Sequence, residues 1–160
     1  MGNNGWLAGF IEADGGFQVS IRLNKEGKLH KLDTDMTLNI RQDYPKHSDF
    51  CSSYLPIMEK IANFLNVKVR PYTRERKIRG NEKGYRVRAT SLLQRNILID
   101  YFTKFPLLSS KRLDYLDWVK AHNIRVNREY TTMLGLNRLI DIKNNMNNKR
   151  TFFDWAYLKT

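Results

Sequence analysis

Three observations predict an α+β domain. Some segments space their apolar residues as helices do, and others alternate strictly as half-buried strands do. The two kinds follow in the order helix, strand, strand, helix, strand, strand, helix, with further helices toward the C-terminus. No low-complexity linker interrupts them, so residues 1–160 are expected to form a single domain around one four-stranded antiparallel sheet.

Residues 4–13 read as a short helix that Asn3 or Asn4 can cap and that Gly15-Gly16 stops. From Phe17 to Arg22 the chain alternates, with Phe17, Val19 and Ile21 on one side and Gln18, Ser20 and Arg22 on the other. A polar stretch containing Gly27 turns it into a second strand. There Met36, Leu38 and Ile40 oppose Asp35, Thr37, Asn39 and Arg41. Helical spacing returns through Leu55, Met58, Ile61, Ala62 and Leu65, predicting a helix over about 49–65. Two more strands follow, around Val67–Arg76 and Gly84–Thr90. Helices are expected over about 91–104, 110–123 and 130–145, with Pro106 breaking between the first two.

Lys and Arg number 28 against 16 Asp and Glu, for a net charge of +12, and a surplus this large points to a polyanionic partner. Three Trp, eight Tyr and eight Phe speak for a folded core rather than a disordered tail. The single Cys51 excludes an internal disulfide and a cysteine-rich zinc site. Apolar runs are only a few residues long, so no membrane span or membrane partner is expected. Trp6 stands where a myristoylation signal needs Ser or Thr. No signal or transit peptide is visible.

The charge concentrates in strands three and four. Strand three sets Val67 and Val69 against Lys68, Arg70, Tyr72, Arg74 and Arg76. Strand four sets Tyr85, Val87 and Ala89 against Arg86, Arg88 and Thr90. A strand repeats every two residues, so these cations are expected on one sheet face while the apolar set packs on helices. An ordinary solvated face mixes both signs, because like charges opposite one another across strands are destabilising. A one-sided face fits phosphates. Gln18, Ser20, Thr37 and Asn39 on the same face can hydrogen-bond to base edges, and arginine can grip guanine with two bonds.

The first helix carries Leu7-Ala8-Gly9-Phe10-Ile11-Glu12-Ala13-Asp14-Gly15. Gly9 and Ala13, four apart, present almost no side chain, and that spacing lets a second helix approach closely. Leu7, Phe10 and Ile11 can serve the core from the other side. Asp14 is carried to the helix end. Alone, an Asp-Gly pair after a helix reads as a turn. This nonapeptide, with Trp6 before it and Gly16-Phe17 after it, resembles the defining motif of the LAGLIDADG homing endonucleases. The only changes are Phe for Leu at Phe10 and Glu for Asp at Glu12.

The resemblance implies a saddle-shaped sheet seated in DNA major grooves, and double-strand breaks leaving 3′ overhangs. It implies Mg2+ or another divalent cation held by Asp14 and the main-chain carbonyl of Ala13, with Glu12 structural. Gln42, at the end of strand two, resembles the residue that places the attacking water. Lys46 would correspond to a basic residue lining the site. Lys111, after Pro106-Leu107-Leu108-Ser109-Ser110, resembles an active-site lysine. The two-fold contact falls to Leu7, Gly9, Phe10 and Ala13. One motif in this sequence requires a second copy of the chain, or a related half-domain, to supply the other acid. The tail Ile142–Trp155 looks like the ends of fungal organellar members, which implies a mitochondrion or another organelle.

Two alternatives stand beside the nuclease. One is a maturase that helps intron RNA fold, and the other is a non-cleaving DNA-binding protein of the same fold. The retained Asp14 favours cleavage. His30, His47 and His122 share no metal-binding spacing and receive no role. Trp118 and Trp155 read as core or tail-docking aromatics. Leu134–Asp141 lacks an Asp-Gly ending and reads as a packed amphipathic helix.

Overall fold

The computed structural model describes residues 2–42, 53–76 and 80–159, position 76 by its backbone. The chain runs α1 (Trp6–Asp14), β1 (Gly15–Leu23), β2 (Leu29–Arg41), α2 (Leu55–Leu65), β3 (Arg70–Arg76), β4 (Gly80–Ala89), α3 (Leu92–Lys104), α4 (Lys111–Val126) and α5 (Met133–Asn144). The four strands form one antiparallel sheet in the order β1-β2-β4-β3. This is the α+β domain that the alternating patterns predict. No helix among the described residues is long and apolar enough to cross a membrane.

Strand starts differ from expectation: β1 begins at Gly15 rather than Phe17 and β4 at Gly80 rather than Gly84, and for the other two the reason is physical. β2 begins at Leu29, well before the alternation is obvious. Thr34 hides the pattern: it is polar, yet fully buried, with its hydroxyl accepting from Arg125 at 3.5 Å. β3 begins at Arg70 rather than Val67. Asn66 adopts the left-handed conformation that closes α2, and the Val67 amide bonds back to the Ala62 carbonyl. Lys68 therefore lies in the connection before the strand and is not part of its alternation.

One sheet face packs on the helices. Phe17 and Val19 of β1, Met36 and Leu38 of β2, and Val87 and Ala89 of β4 are buried with Leu7 and Ile11 of α1. Met58, Ile61 and Leu65 of α2, Leu98 and Phe102 of α3 and Trp118 of α4 complete that core. Phe17 sits at the aromatic centre, its ring 5.4 Å from both Tyr115 and Trp118 and 5.9 Å from Phe102. Burying a ring of that size stabilises the fold by about 1.5–3 kcal/mol. The helix starts are pinned by side chains. Neither Asn3 nor Asn4 caps α1: Gly5 holds the N-cap position, and Asn4, one residue before it, accepts from the Trp6 amide. Ser91 and Gln94 form a reciprocal capping box at α3.

His122, given no role by its spacing, is a buried member of α4. Its Nδ1 accepts from Arg95 Nε at 3.0 Å, and Arg95 also donates to the carbonyls of Thr34 and Thr90. Burial, then Arg95 and Arg125, push its pKa below the usual histidine value, so the ring is an acceptor rather than a cation. The pair ties α3 and α4 to β2. Trp118 is fully buried, as expected, whereas Trp155 is exposed, stacked on Phe153 and tilted against Tyr157 in the segment after α5.

Candidate active site and nucleic-acid interface

α1 passes into β1 with no loop. A side chain at Gly15 would lie 2.7 Å from the Ile11 side chain and 2.8 Å from its carbonyl, so only glycine permits the turn. That places Asp14, the last helical residue, at the junction, where it is exposed. Its carboxylate accepts no hydrogen bond among the described residues. The Ala13 carbonyl is also in the last turn, where no following helical amide is available to satisfy it.

The two motif acids are divided in role. Glu12 reaches away into the loop before α4, where Oε1 accepts from the amides of Leu108 and Ser109, the latter at 2.7 Å. It is structural, as the resemblance implies. Lys111, the first residue of α4, returns to the motif: Nζ donates to the Ile11 carbonyl at 3.1 Å and the Gly15 carbonyl at 2.5 Å. Burial lowers its pKa, opposed first by Asp14 and then by Glu12 and Asp114. The ammonium and the free carboxylate thus share one end of the sheet.

Gln42 is half-buried just past the end of β2, with its backbone bonded to Lys83 and Tyr54. Gly15 pairs with Leu38, so β2 runs on past the start of β1 toward Gln42, and no hydrogen bond joins Gln42 to Asp14. Lys46 lies outside the described residues.

The four residues expected at the two-fold contact differ in exposure. Gly9 and Ala13 are exposed, and a side chain at Gly9 would meet nothing within 4 Å. Phe10 is half-buried and stacks on Trp6 with ring centres 4.9 Å apart. Leu7 is fully buried in the core, so it cannot belong to an interface; the helical period turns it toward the sheet.

On the other sheet face the register assembles the polar residues into rows. Thr37 pairs with Arg88, Asn39 with Arg86 and Arg86 with Arg70. Gly84 sits between Arg41 and Tyr72, and Gln18 and Ser20 lie opposite Asp35 and Asp33. Arg22 ends its row against Lys31 at a bulge, and Arg74 faces Glu82. Arg76 pairs through its backbone with Gly80.

The face is not uniformly cationic. Asp35 lies on it, its side chain 4% exposed, and is paired with Arg88. The alternation itself contains that acid, and counting charges only in strands three and four misses it. Arg86 Nε donates to Asn39 Oδ1 at 2.7 Å, and its guanidinium stands 5.0 Å from the Tyr72 ring centre. Arg22, Arg41, Arg70 and Arg74 are exposed and hold no ion pair among the described residues. A groove of about 430 Å³ along this edge is lined by Lys68, Arg70, Arg86, Arg88 and Gln94.

Comparison with known proteins fits this arrangement. The family model described as LAGLIDADG endonuclease matches residues 7–122. The intron-encoded DNA endonuclease aI3 of Saccharomyces cerevisiae is 33% identical over 178 aligned positions, covering 99% of this chain and 41% of that protein. The probable intron-encoded DNA endonuclease aI1 of Mycosarcoma maydis is 31% identical over 117, covering 72% of this chain and 93% of that one. Among solved structures, the homing endonuclease I-LtrWI bound to target DNA is 27% identical with a TM-score of 0.66, covering 91% of this chain and 44% of its own. The meganuclease I-CpaMI, at 22% identity and a TM-score of 0.68, shares the fold over 98% of this chain and 46% of its own. The chain thus spans less than half the length of the yeast relative and of both structures. The match to the family model extends from the α1 motif to His122 and spans all four strands: the chain belongs to the LAGLIDADG endonuclease family.

Proposed function

We propose that this chain is one DNA-binding and DNA-cleaving unit of a sequence-specific endonuclease that hydrolyses both strands of a duplex as a two-fold or pseudo-two-fold pair. One observation carries the reading. An exposed, unpaired carboxylate and a buried-side lysine share the edge of a sheet whose open face presents ordered arginines.

The donors at that edge suit a hard divalent cation such as Mg2+. Asp14 and the Ala13 carbonyl offer oxygen ligands, and such ions favour a few carboxylates completed by water and substrate phosphate. The described residues hold no cluster of three His, Cys, Asp or Glu able to cage a metal alone. When bound, such an ion activates water and stabilises the leaving oxygen. The chain's own residues do the rest. Asp14 would hold the cation beside the scissile phosphate, Lys111 would bring positive charge to a crowded phosphorus, and the sheet would fix the duplex. Gln42 is the candidate for aligning water, and cleavage across the minor groove would leave 3′ overhangs. By resemblance the setting is a mitochondrion or another organelle, and a maturase role on intron RNA remains the secondary reading.

The second acid must come from another copy or a related half, packed through Gly9 and Ala13. Gly9→Leu tests this cleanly, because the side chain meets nothing within the chain itself. The variant should fold as a monomer, keep weak salt-sensitive DNA binding, and lose linearisation of plasmids carrying a site selected from a random library. A Gly9→Leu protein that remains paired on DNA and still linearises the plasmid would show that α1 is not the contact.

A further inference from the structure

We infer that Tyr157 is a positioning residue for Lys111, so that the C-terminal tail forms part of the catalytic apparatus; this rests on the nuclease reading above. The loop between α3 and α4 has to hold its place for Lys111 to reach the motif carbonyls. It is gripped from two sides. Glu12 of α1 accepts from the amides of Leu108 and Ser109. Tyr157 approaches from the opposite direction, its hydroxyl 3.0 Å from the Leu108 carbonyl and 3.1 Å from the Ser109 carbonyl. One proton serves both acceptors in a shared bond. The same two residues therefore have their amides tied to the motif and their carbonyls tied to the tail, and the peptide between Leu108 and Ser109 is held on both sides.

From Ser109 the linkage to Lys111 is direct. The Lys111 amide donates to Ser109 Oγ at 3.2 Å, and the Lys111 ammonium then spans to Ile11 and Gly15. The ring of Tyr157 adds a second hold, since the Arg112 guanidinium carbon lies 4.5 Å from its centre and Arg112 also donates to the Leu107 carbonyl at 3.3 Å.

The tail is itself anchored on α4. Arg150, its side chain 10% exposed, bridges Asp114 at 2.8 Å and Asp117 at 2.7 Å. Asn147 donates its amide to Asp114 at 2.9 Å and its side chain to the Phe17 carbonyl at 3.1 Å. The segment after α5 thus crosses the first turns of α4 and ends on the loop that launches it. Had its purpose been only to cover the helix, the Arg150 clamp would suffice. The hydroxyl of Tyr157 falls instead on the two peptides that set the height of Lys111.

The test is Tyr157→Phe, which keeps the ring over Arg112 and removes the hydroxyl. Single-turnover cleavage should slow about tenfold, because misplacing a reacting group by 1 Å costs up to about 100-fold. DNA affinity and melting temperature should stay unchanged, and exchange of the Ser109 and Lys111 amide protons should quicken. In a Lys111→Met background, Tyr157→Phe should add nothing, since the tyrosine acts only through the lysine. Wild-type rates in Tyr157→Phe, an equal loss in both backgrounds, or a fall in cleavage that merely tracks melting temperature would overturn the proposal. If the parent protein cuts no DNA, the nuclease reading fails on its own, and amide exchange alone decides: faster exchange supports the positioning role, and unchanged exchange refutes it.

Discussion

The end of α1 and the open face of the sheet are both rich in charge, but they handle it in opposite ways. On the sheet, Arg88 and Arg86 are tethered to neighbours, one to buried Asp35 and the other to Asn39. At the motif end the cation is tethered and the acid is free: Lys111 holds two carbonyls while Asp14 accepts no hydrogen bond among the described residues. Tethering suits groups that must present a fixed shape to a partner. A free carboxylate with the Ala13 carbonyl beside it, beyond the reach of a helical amide, suits a ligand that brings its own positive charge. On the proposed function, the contrast would separate recognition from chemistry within one small domain.

Lys111→Met should produce the larger disturbance. Losing one preorganised charge donor typically lowers a rate by about 100- to 1,000-fold, and binding should barely change. The pH dependence sharpens this. Burial places the lysine below its ordinary 10.5, so the ammonium is lost as pH rises through that lowered value. Cleavage should therefore decline on the alkaline side before 10.5. Arginine stays protonated throughout, so in Lys111→Arg whatever activity survives should lose that limb. An alkaline limb unchanged by Lys111→Arg would assign it to another group.

Arg88 comes next. If its tethered fork reads a guanine, Arg88→Ala should cost about 1–3 kcal/mol at one base pair and relax preference there alone. The substitution also strips buried Asp35 of its partner, so it should be compared with Asp35→Asn combined with Arg88→Ala. Selection profiles across all positions of the site distinguish the outcomes. A uniform loss at every position would make Arg88 a phosphate contact and erase the distinction drawn between tethered and untethered arginines.

Arg70 should show the smallest effect. It is exposed and holds no ion pair among the described residues, which suits phosphate neutralisation. Arg70→Ala should weaken all sequences alike and reduce the salt dependence of binding by about one counterion. Salt titrations of the two variants side by side read this directly, and a change in sequence preference for Arg70→Ala would contradict it.

Much of this was legible in the sequence, because periodicity reports which residues face the core. The alternations at Phe17–Arg22 and Met36–Arg41 identify both faces of β1 and β2 correctly, and the nonapeptide places Asp14 at the end of the first helix. What escaped has a common cause: polar residues whose partners are distant in sequence. Thr34 and Asp35 are polar by type yet buried, through bonds to Arg125 and Arg88 about 91 and 53 residues away. His122 likewise depends on Arg95, which no spacing rule connects to it. Leu7, expected at the two-fold contact, is buried in this chain's own core, because the third-and-fourth-residue rhythm of the nonapeptide turns half of it inward. Tyr157 could not be found from its neighbourhood at all, since its partners lie in a loop 48 residues earlier.

Asp14→Asn is the most direct test of the division between chemistry and recognition. With a selected duplex and Mg2+, cleavage and binding should be measured on the same preparation. Cleavage should be lost while affinity stays equal or tightens, since a negative charge beside phosphate is removed. Cleavage near the wild-type rate, or binding that collapses together with cleavage, would contradict it.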